Sequence, residues 1–155
     1  MGGKPTVKLN PVYLTGIPGI DVQHEELFFT CDTLRKSSVR KNASLDSIIA
    51  SAGEFLKNLK THYTVEETLL EMIGFPKAAE HKAQHRKLFN VLKKEIKALK
   101  SNENPEISRF AHSLQDALIN HIAVSDREYT VHIESLIEMR KKFNITALKA
   151  RILVE

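Results

Sequence analysis

With 155 residues, 42% of them apolar and 27% charged, the chain is sized for a single domain with a sizeable core. A net charge of +4 is too small to suggest a nucleic-acid binder, and no apolar run approaches the ~18–20 residues of a membrane span. The N-terminus carries no apolar signal core and the lone Cys31 excludes an internal disulfide, which together point to a cytoplasmic protein.

Residues 1–20 read as an irregular arm. Pro5, Pro11, Gly16, Pro18 and Gly19 punctuate it, and Val7, Leu9, Val12, Tyr13, Leu14 and Ile17 give it apolar anchors. Asp21 has the chemistry of an N-cap for a first helix over 21–38, with Leu27, Phe28, Cys31 and Leu34 on the inner face and His24 on the same stripe. Ser44 caps a second helix over 45–72, whose stripe runs Ile48, Ala52, Phe55, Leu59, His62, Glu66 and Leu69/Leu70. Gly74 and Pro76 end it. A third helix over 77–100 presents His81, His85, Leu88, Leu92, Ile96 and Leu99, while Lys93, Lys94, Lys97 and Lys100 form its solvated face. Asn104-Pro105 opens a fourth helix that continues to about residue 140, with Phe110, Leu114, Ala117, Leu118, His121, Ile122 and Tyr129 inward. From 141 to 155 the pattern is too loose to assign, although Ile145, Leu148 and Ile152 suit a last helical turn or two.

Four long helices joined by short connections predict an all-α, antiparallel up-down four-helix bundle occupying residues 21–140, with the arm before it and a short tail after it. No apolar stripe is left over, so a monomer is expected.

The inner stripes also collect ionisable groups. His62 and Glu66, and again His81 and His85, are spaced i, i+4, which stacks each pair on one helix face. His24 and His121 come from the other two helices, and Asp126 follows His121 by five residues. A lone histidine on an apolar face is usually a satisfied core residue. Five of them converging with two carboxylates would cost several kcal/mol each to bury unless a cation compensates. Nitrogen and carboxylate oxygen donors suit a first-row transition metal, and seven donors exceed what one tetrahedral ion takes. Two ions bridged by the carboxylates fit better. If Glu66, Asp126 and one solvent-derived oxygen all bridge, five histidines divided three and two give one ion six ligands and the other five. The open sixth position suits a small electron-rich or anionic ligand. Asp126 lies ~140° around an ideal helix from His121, so either its side chain reaches back or the helix loosens there into a wider turn. His112, half a turn out of phase, and His132, too far along the axis, are not expected to bind metal. Glu67 and Glu71 are expected on the outer face or behind the ligands.

These motifs resemble those of the bacterial hemerythrins. Gly16 to Phe28 (GIPGIDVQHEELF) is similar to the family's first-helix motif, His62 to Glu67 (HYTVEE) to its second, His81 to His85 (HKAQH) to its third, and His121 to Tyr129 (HIAVSDREY) to its fourth. The resemblance spans residues 9–130 and implies a non-haem di-iron centre, oxo- or hydroxo-bridged, that binds dioxygen reversibly. It further implies that His81, His85 and His121 hold one iron, His24 and His62 the other, and that Glu66 and Asp126 bridge. Dioxygen is then the partner, with small anions competing for the open position. A di-iron enzyme reducing peroxide or nitric oxide, or an iron reservoir, is the alternative. The chain departs from relatives in having no Trp: Leu9 and Ala117 stand at the positions concerned, and Ala123 replaces a larger aliphatic. These smaller residues predict a more open ligand pocket.

Overall fold

The computed structural model describes residues 9–103 and 105–152, with side chains described as far as residue 144. A short 3₁₀ turn (Pro11–Tyr13) leads into α1 (Pro18–Ser38), α2 (Leu45–Met72), α3 (Ala78–Ser101) and α4 (Ile107–Asn120). A π-helical turn (His121–Asp126) joins α4 to α5 (Arg127–Ile152), so the fourth rod of the bundle is built from three consecutive helical stretches. Among the described residues there is no strand. The packed pairs are α1 with α2, α2 with α3, α3 with α4 and α1 with α4, the closed cycle of an up-down four-helix bundle.

Local chemistry fixes the ends. Ser44 caps α2 as expected, its hydroxyl accepting from the Ser47 amide at 3.3 Å. The other end of α2 closes in a Schellman motif. Gly74 takes a φ of 62°, the Phe75 amide donates to Leu70 carbonyl at 2.9 Å, and the Gly74 amide donates to Glu71 carbonyl at 3.2 Å. Phe75 and Leu70 then pack together in a small core with Tyr129. This turn reverses the chain so that His62 and Glu66 face His81 and His85.

Two helix starts differ from expectation. α1 begins at Pro18, a good first-turn residue, with no side-chain cap at Ile17. Asp21 points backwards instead: its carboxylate accepts from the Thr15 amide at 2.7 Å, the Thr15 hydroxyl at 2.8 Å and the Gly16 amide at 3.2 Å, tying the arm to the helix. α4 begins at Ile107 rather than at Pro105, whose carbonyl accepts from the Ile107 amide at 2.9 Å outside the helix.

The main core fills one end of the bundle with Leu27, Phe28, Cys31, Phe55, Leu59, Leu92, Ile96, Phe110 and Leu114, and Leu9 of the arm joins it. Cys31 is fully buried, and burial together with the neighbouring Asp32 charge pushes its thiol up, so it is an inert core residue. Leu70, Phe75 and Tyr129 form the second, smaller core at the other end. The backbone stays helical from 141 to Ile152, without a break where a tail was expected. Every described side chain from 134 to 144 is exposed, including Ile137, Met139 and Phe143. The tail positions Ile145, Leu148 and Ile152, and Val7 and Pro5 of the arm, lie outside the described side chains. No helix among the described residues is long and apolar enough to cross a membrane.

Candidate metal centre

Between the two cores, all seven predicted donors come together. α1 contributes His24, α2 contributes His62 and Glu66, and α3 contributes His81 and His85. The π-helical turn contributes His121 at its first position and Asp126 at its last. The widened turn is what brings residues five apart onto one face, which a regular α-helix does not do. Its exit is tied by Thr130, whose buried hydroxyl donates to Asp126 carbonyl at 3.0 Å. Glu66 and Asp126 are 0% exposed and His121, the least buried of the seven, only 5%.

The donor atoms fall into two overlapping sets, each with its atoms within 4.8 Å of one another: Glu66, His81, His85, His121 and Asp126 in one, and His24, His62, Glu66 and Asp126 in the other. Asp126 reaches both with separate oxygens. Its Oδ1 lies 3.1 Å from His121 Nε2 and 3.3 Å from His81 Nε2, and its Oδ2 lies 3.3 Å from His24 Nε2. Glu66 serves both through Oε2, at 3.1 Å from His85, 3.5 Å from His81 and 3.5 Å from His62. His85 and His121 Nε2 atoms are 3.0 Å apart, and those of His24 and His62 are 3.3 Å apart.

This arrangement fits metal ions. Donors placed at right angles ~2.1 Å from a common centre stand ~3.0 Å from each other, close to the separations just given. Both oxygens of each buried carboxylate, together with His81 Nε2, lack a hydrogen-bond partner among the described residues. Buried polar atoms left without partners ordinarily cost 1–3 kcal/mol apiece, more when charged, so a cation is the natural compensation. Ring nitrogens at 3.0 Å that all aim inward repel one another unless a proton or a metal lies among them.

The electrostatics agree. Burial and the neighbouring Asp126 push Glu66 up, yet His81, His85 and His62 outweigh them and hold it low. Burial also opposes ionisation of Asp126, but His121, His24 and His81 hold it well below the usual range. Burial lowers His62 to about 4. His81 is also pushed down by burial, but the Asp126 and Glu66 carboxylates win and raise it to about 9.

Groups behind the ligands were less legible. His85 Nδ1 meets Glu67 Oε1 at 3.0 Å, and His62 Nδ1 meets Gln23 Oε1 at 3.0 Å. Glu67 was narrowed only to an outer or supporting place, and Gln23 was missed because its contact crosses from α1 to α2. Two tyrosines also frame the centre. Tyr63 stacks on His85 with ring centroids 3.7 Å apart, and Tyr129 stands edge-on to His81 at 5.6 Å. Both hydroxyls are buried without a hydrogen-bond partner among the described residues, and burial pushes both phenols up, so they keep their protons. Tyr63 sits inside the HYTVEE motif directly after His62, and that adjacency is the sequence signal for it.

The residues expected to stay out do so. His112 is exposed and bonded to Ser108 carbonyl at 2.8 Å, and His132 packs on Phe75 outside both donor sets. Glu71 is exposed beside Lys82, and Glu128 pairs with Lys77 at 2.9 Å on the surface. One expectation needs correcting. Ala123 lines an outer groove of about 800 Å³ with Phe75, Pro76, Val124 and Val131. Two residues beyond His121 it lies across the helix from the donors, so its small size opens the surface rather than the centre. Next to His81 there is a cavity of only about 10 Å³, room for one water, walled by Phe75, Gln84, Ser125 and the Lys77–Glu128 pair.

The comparisons with known proteins bear on the same residues. The hemerythrin HHE cation binding domain matches residues 15–131, which take in all seven donors. Bacteriohemerythrin of Methylococcus capsulatus is 30% identical over 118 residues, covering 74% of this chain and 86% of that protein. With the hemerythrin HHE cation binding domain matched over most of the chain, and a bundle that converges seven buried side chains able to hold metal, the chain belongs to the hemerythrin family.

Proposed function

We propose that the chain binds dioxygen reversibly, as a carrier, store or sensor, at a di-iron centre. In this reading His81, His85 and His121 hold one iron, His24 and His62 the other, and Glu66 and Asp126 are shared. The observation that carries it is the inequality of the donor sets, five side chains against four with both carboxylates in common. The poorer set leaves room for an external ligand, whether dioxygen or a small anion. When bound, a reduced iron pair supplies the electrons that dioxygen binding requires and that the side chains cannot. The protein's own part is enclosure. The donors are buried, the Tyr63 and Tyr129 rings wall them in, and both phenols keep their protons beside the carboxylates. Such a site limits the water and protons that would turn a reversible step into an irreversible one. The functional unit is residues 21–140 with the arm tied on through Asp21, and the buried Cys31 suits the cytoplasm.

The test is to load the protein anaerobically with two equivalents of ferrous iron and follow optical spectra through repeated oxygen and argon cycles. A charge-transfer band that appears under oxygen and disappears under argon, cycle after cycle, is the expected result. Immediate conversion to a stable oxidised spectrum overturns reversible carriage. Turnover of peroxide or nitric oxide would then establish the enzyme, and net uptake and release of iron the reservoir.

A further inference from the structure

Each donor set contains one histidine whose outward ring nitrogen is held, and the two holders differ in charge. His85 Nδ1 lies 3.0 Å from Glu67 Oε1, and His62 Nδ1 lies 3.0 Å from Gln23 Oε1. A carboxylate or amide oxygen only accepts, so in both rings Nδ1 carries the hydrogen and donates, and Nε2 presents its lone pair inward. The tautomers therefore match while the electronics do not. A carboxylate behind a ligand histidine pushes electron density to the metal-facing nitrogen, whereas an amide offers only a dipole. Glu67 is itself fixed, with Oε2 3.4 Å from Lys82 Nζ and its side chain 20% exposed. On the other side the second histidine is worse off: His24 Nδ1 is buried with no hydrogen-bond partner among the described residues.

We infer that Glu67 and Gln23 grade the two metal positions, so that the His81/His85/His121 set takes a divalent cation first and tightly, and the His24/His62 set takes it second and releases it more readily. Glu67 and Gln23 are positioning residues that act through the histidines. The grading rests on the reading of the seven side chains as a two-metal centre. It adds to the difference in donor number and places the exchangeable metal at the position open to an external ligand. It belongs to the ligand shell and holds for any divalent ion of similar size.

The experiment is a competition titration of the full-length, metal-free protein with Zn²⁺ against a chelator of known affinity. Wild type should take up two equivalents in two resolved steps. Glu67→Gln should weaken the first step about 10- to 100-fold and leave the second within about threefold. Gln23→Glu should strengthen the second step by about tenfold or more and leave the first unchanged, narrowing the gap. Circular dichroism of each variant separates lost affinity from lost fold. Gln23 is only half-buried, so its variant carries the test even if Glu67→Gln does not fold. The grading is overturned if Glu67→Gln weakens both steps alike, or if Gln23→Glu leaves the second step where it was. Uptake of fewer than two equivalents by wild type overturns the two-metal reading itself, and the grading with it.

Discussion

Asp126 sends its two oxygens to different histidines, Oδ1 to His81 and His121 and Oδ2 to His24, and is the residue on which the pairing of the donor sets depends. Neutralising it should therefore act on both sets, unlike the loss of a histidine that belongs to one. In Zn²⁺ titrations Asp126→Asn is expected to weaken both steps by about tenfold or more, and His121→Ala only the first. An Asp126→Asn protein that still bound one equivalent with wild-type affinity would contradict the shared role. Tyr63 offers a second residue-scale test. Its ring stacks on His85, but its buried hydroxyl has no partner among the described residues. An unpartnered buried hydroxyl is a burden of order 1 kcal/mol, so Tyr63→Phe should leave stability unchanged or raise it by about that much. Tyr63→Ala removes the ring as well and should cost about 3–5 kcal/mol. Urea denaturation of the metal-free variants separates the two.

At the scale of the elements, the π-helical turn and the Schellman turn do the aligning, one for His121 and Asp126 and the other for the facing pairs of α2 and α3. The stretch of α5 from 134 to 144 does no such work. Its described side chains from 134 to 144 are all exposed, and the family match ends at residue 131. Helical backbone that buries no side chain adds little, because most helix stability in proteins comes from packing. Replacing Ile137, Met139 and Phe143 together by Ser should leave the melting temperature within about 2 °C and Zn²⁺ uptake at two equivalents; a drop of about 10 °C would show that this stretch belongs to the fold. Much of this organisation was legible in the sequence because it is written locally. The i, i+4 pairs, the Ser44 cap and the Gly74-Phe75-Pro76 stop each declare themselves within a few residues, and the five-residue step to Asp126 already called for either a side chain that reaches back or a wider turn, of which the structure has the second. What was not legible depends on partners from another element. Asp21 has the chemistry of a cap, yet whether it faces forward or back is decided by the arm. Gln23 and Glu67 reach across helices, and only the groove that Ala123 lines with Val124 and Val131 shows that its small size opens the surface.

For the whole molecule, seven ionisable groups in one buried place make stability depend on protonation, and the sign changes with the metal. Take the metal-free protein first. Burial lowers His62 from 6.5 to about 4, so below pH 6.5 the unfolded chain binds the extra proton and stability falls as pH falls towards 4. His81 runs the other way. Burial opposes its proton, but Asp126 and Glu66 outweigh burial and raise it from 6.5 to about 9, so its contribution is complete below 6.5 and lost as pH rises through 9. Glu66 and Asp126 are depressed, and their contribution persists until pH falls below the ordinary carboxylate range. The metal-free protein should accordingly be most stable near pH 6.5 and lose stability on both sides. Two bound cations replace the His81 proton, so the alkaline decline between about 6.5 and 9 should disappear. The acid decline should steepen, because every histidine must shed its proton to bind. Melting temperatures from pH 5 to 9, with and without two equivalents of Zn²⁺, read both curves. A metal-free protein that grew steadily more stable from pH 6.5 to 9 would mean that His81 is not held protonated by the two carboxylates, and the balance of charge in the empty cluster would have to be redrawn around another residue.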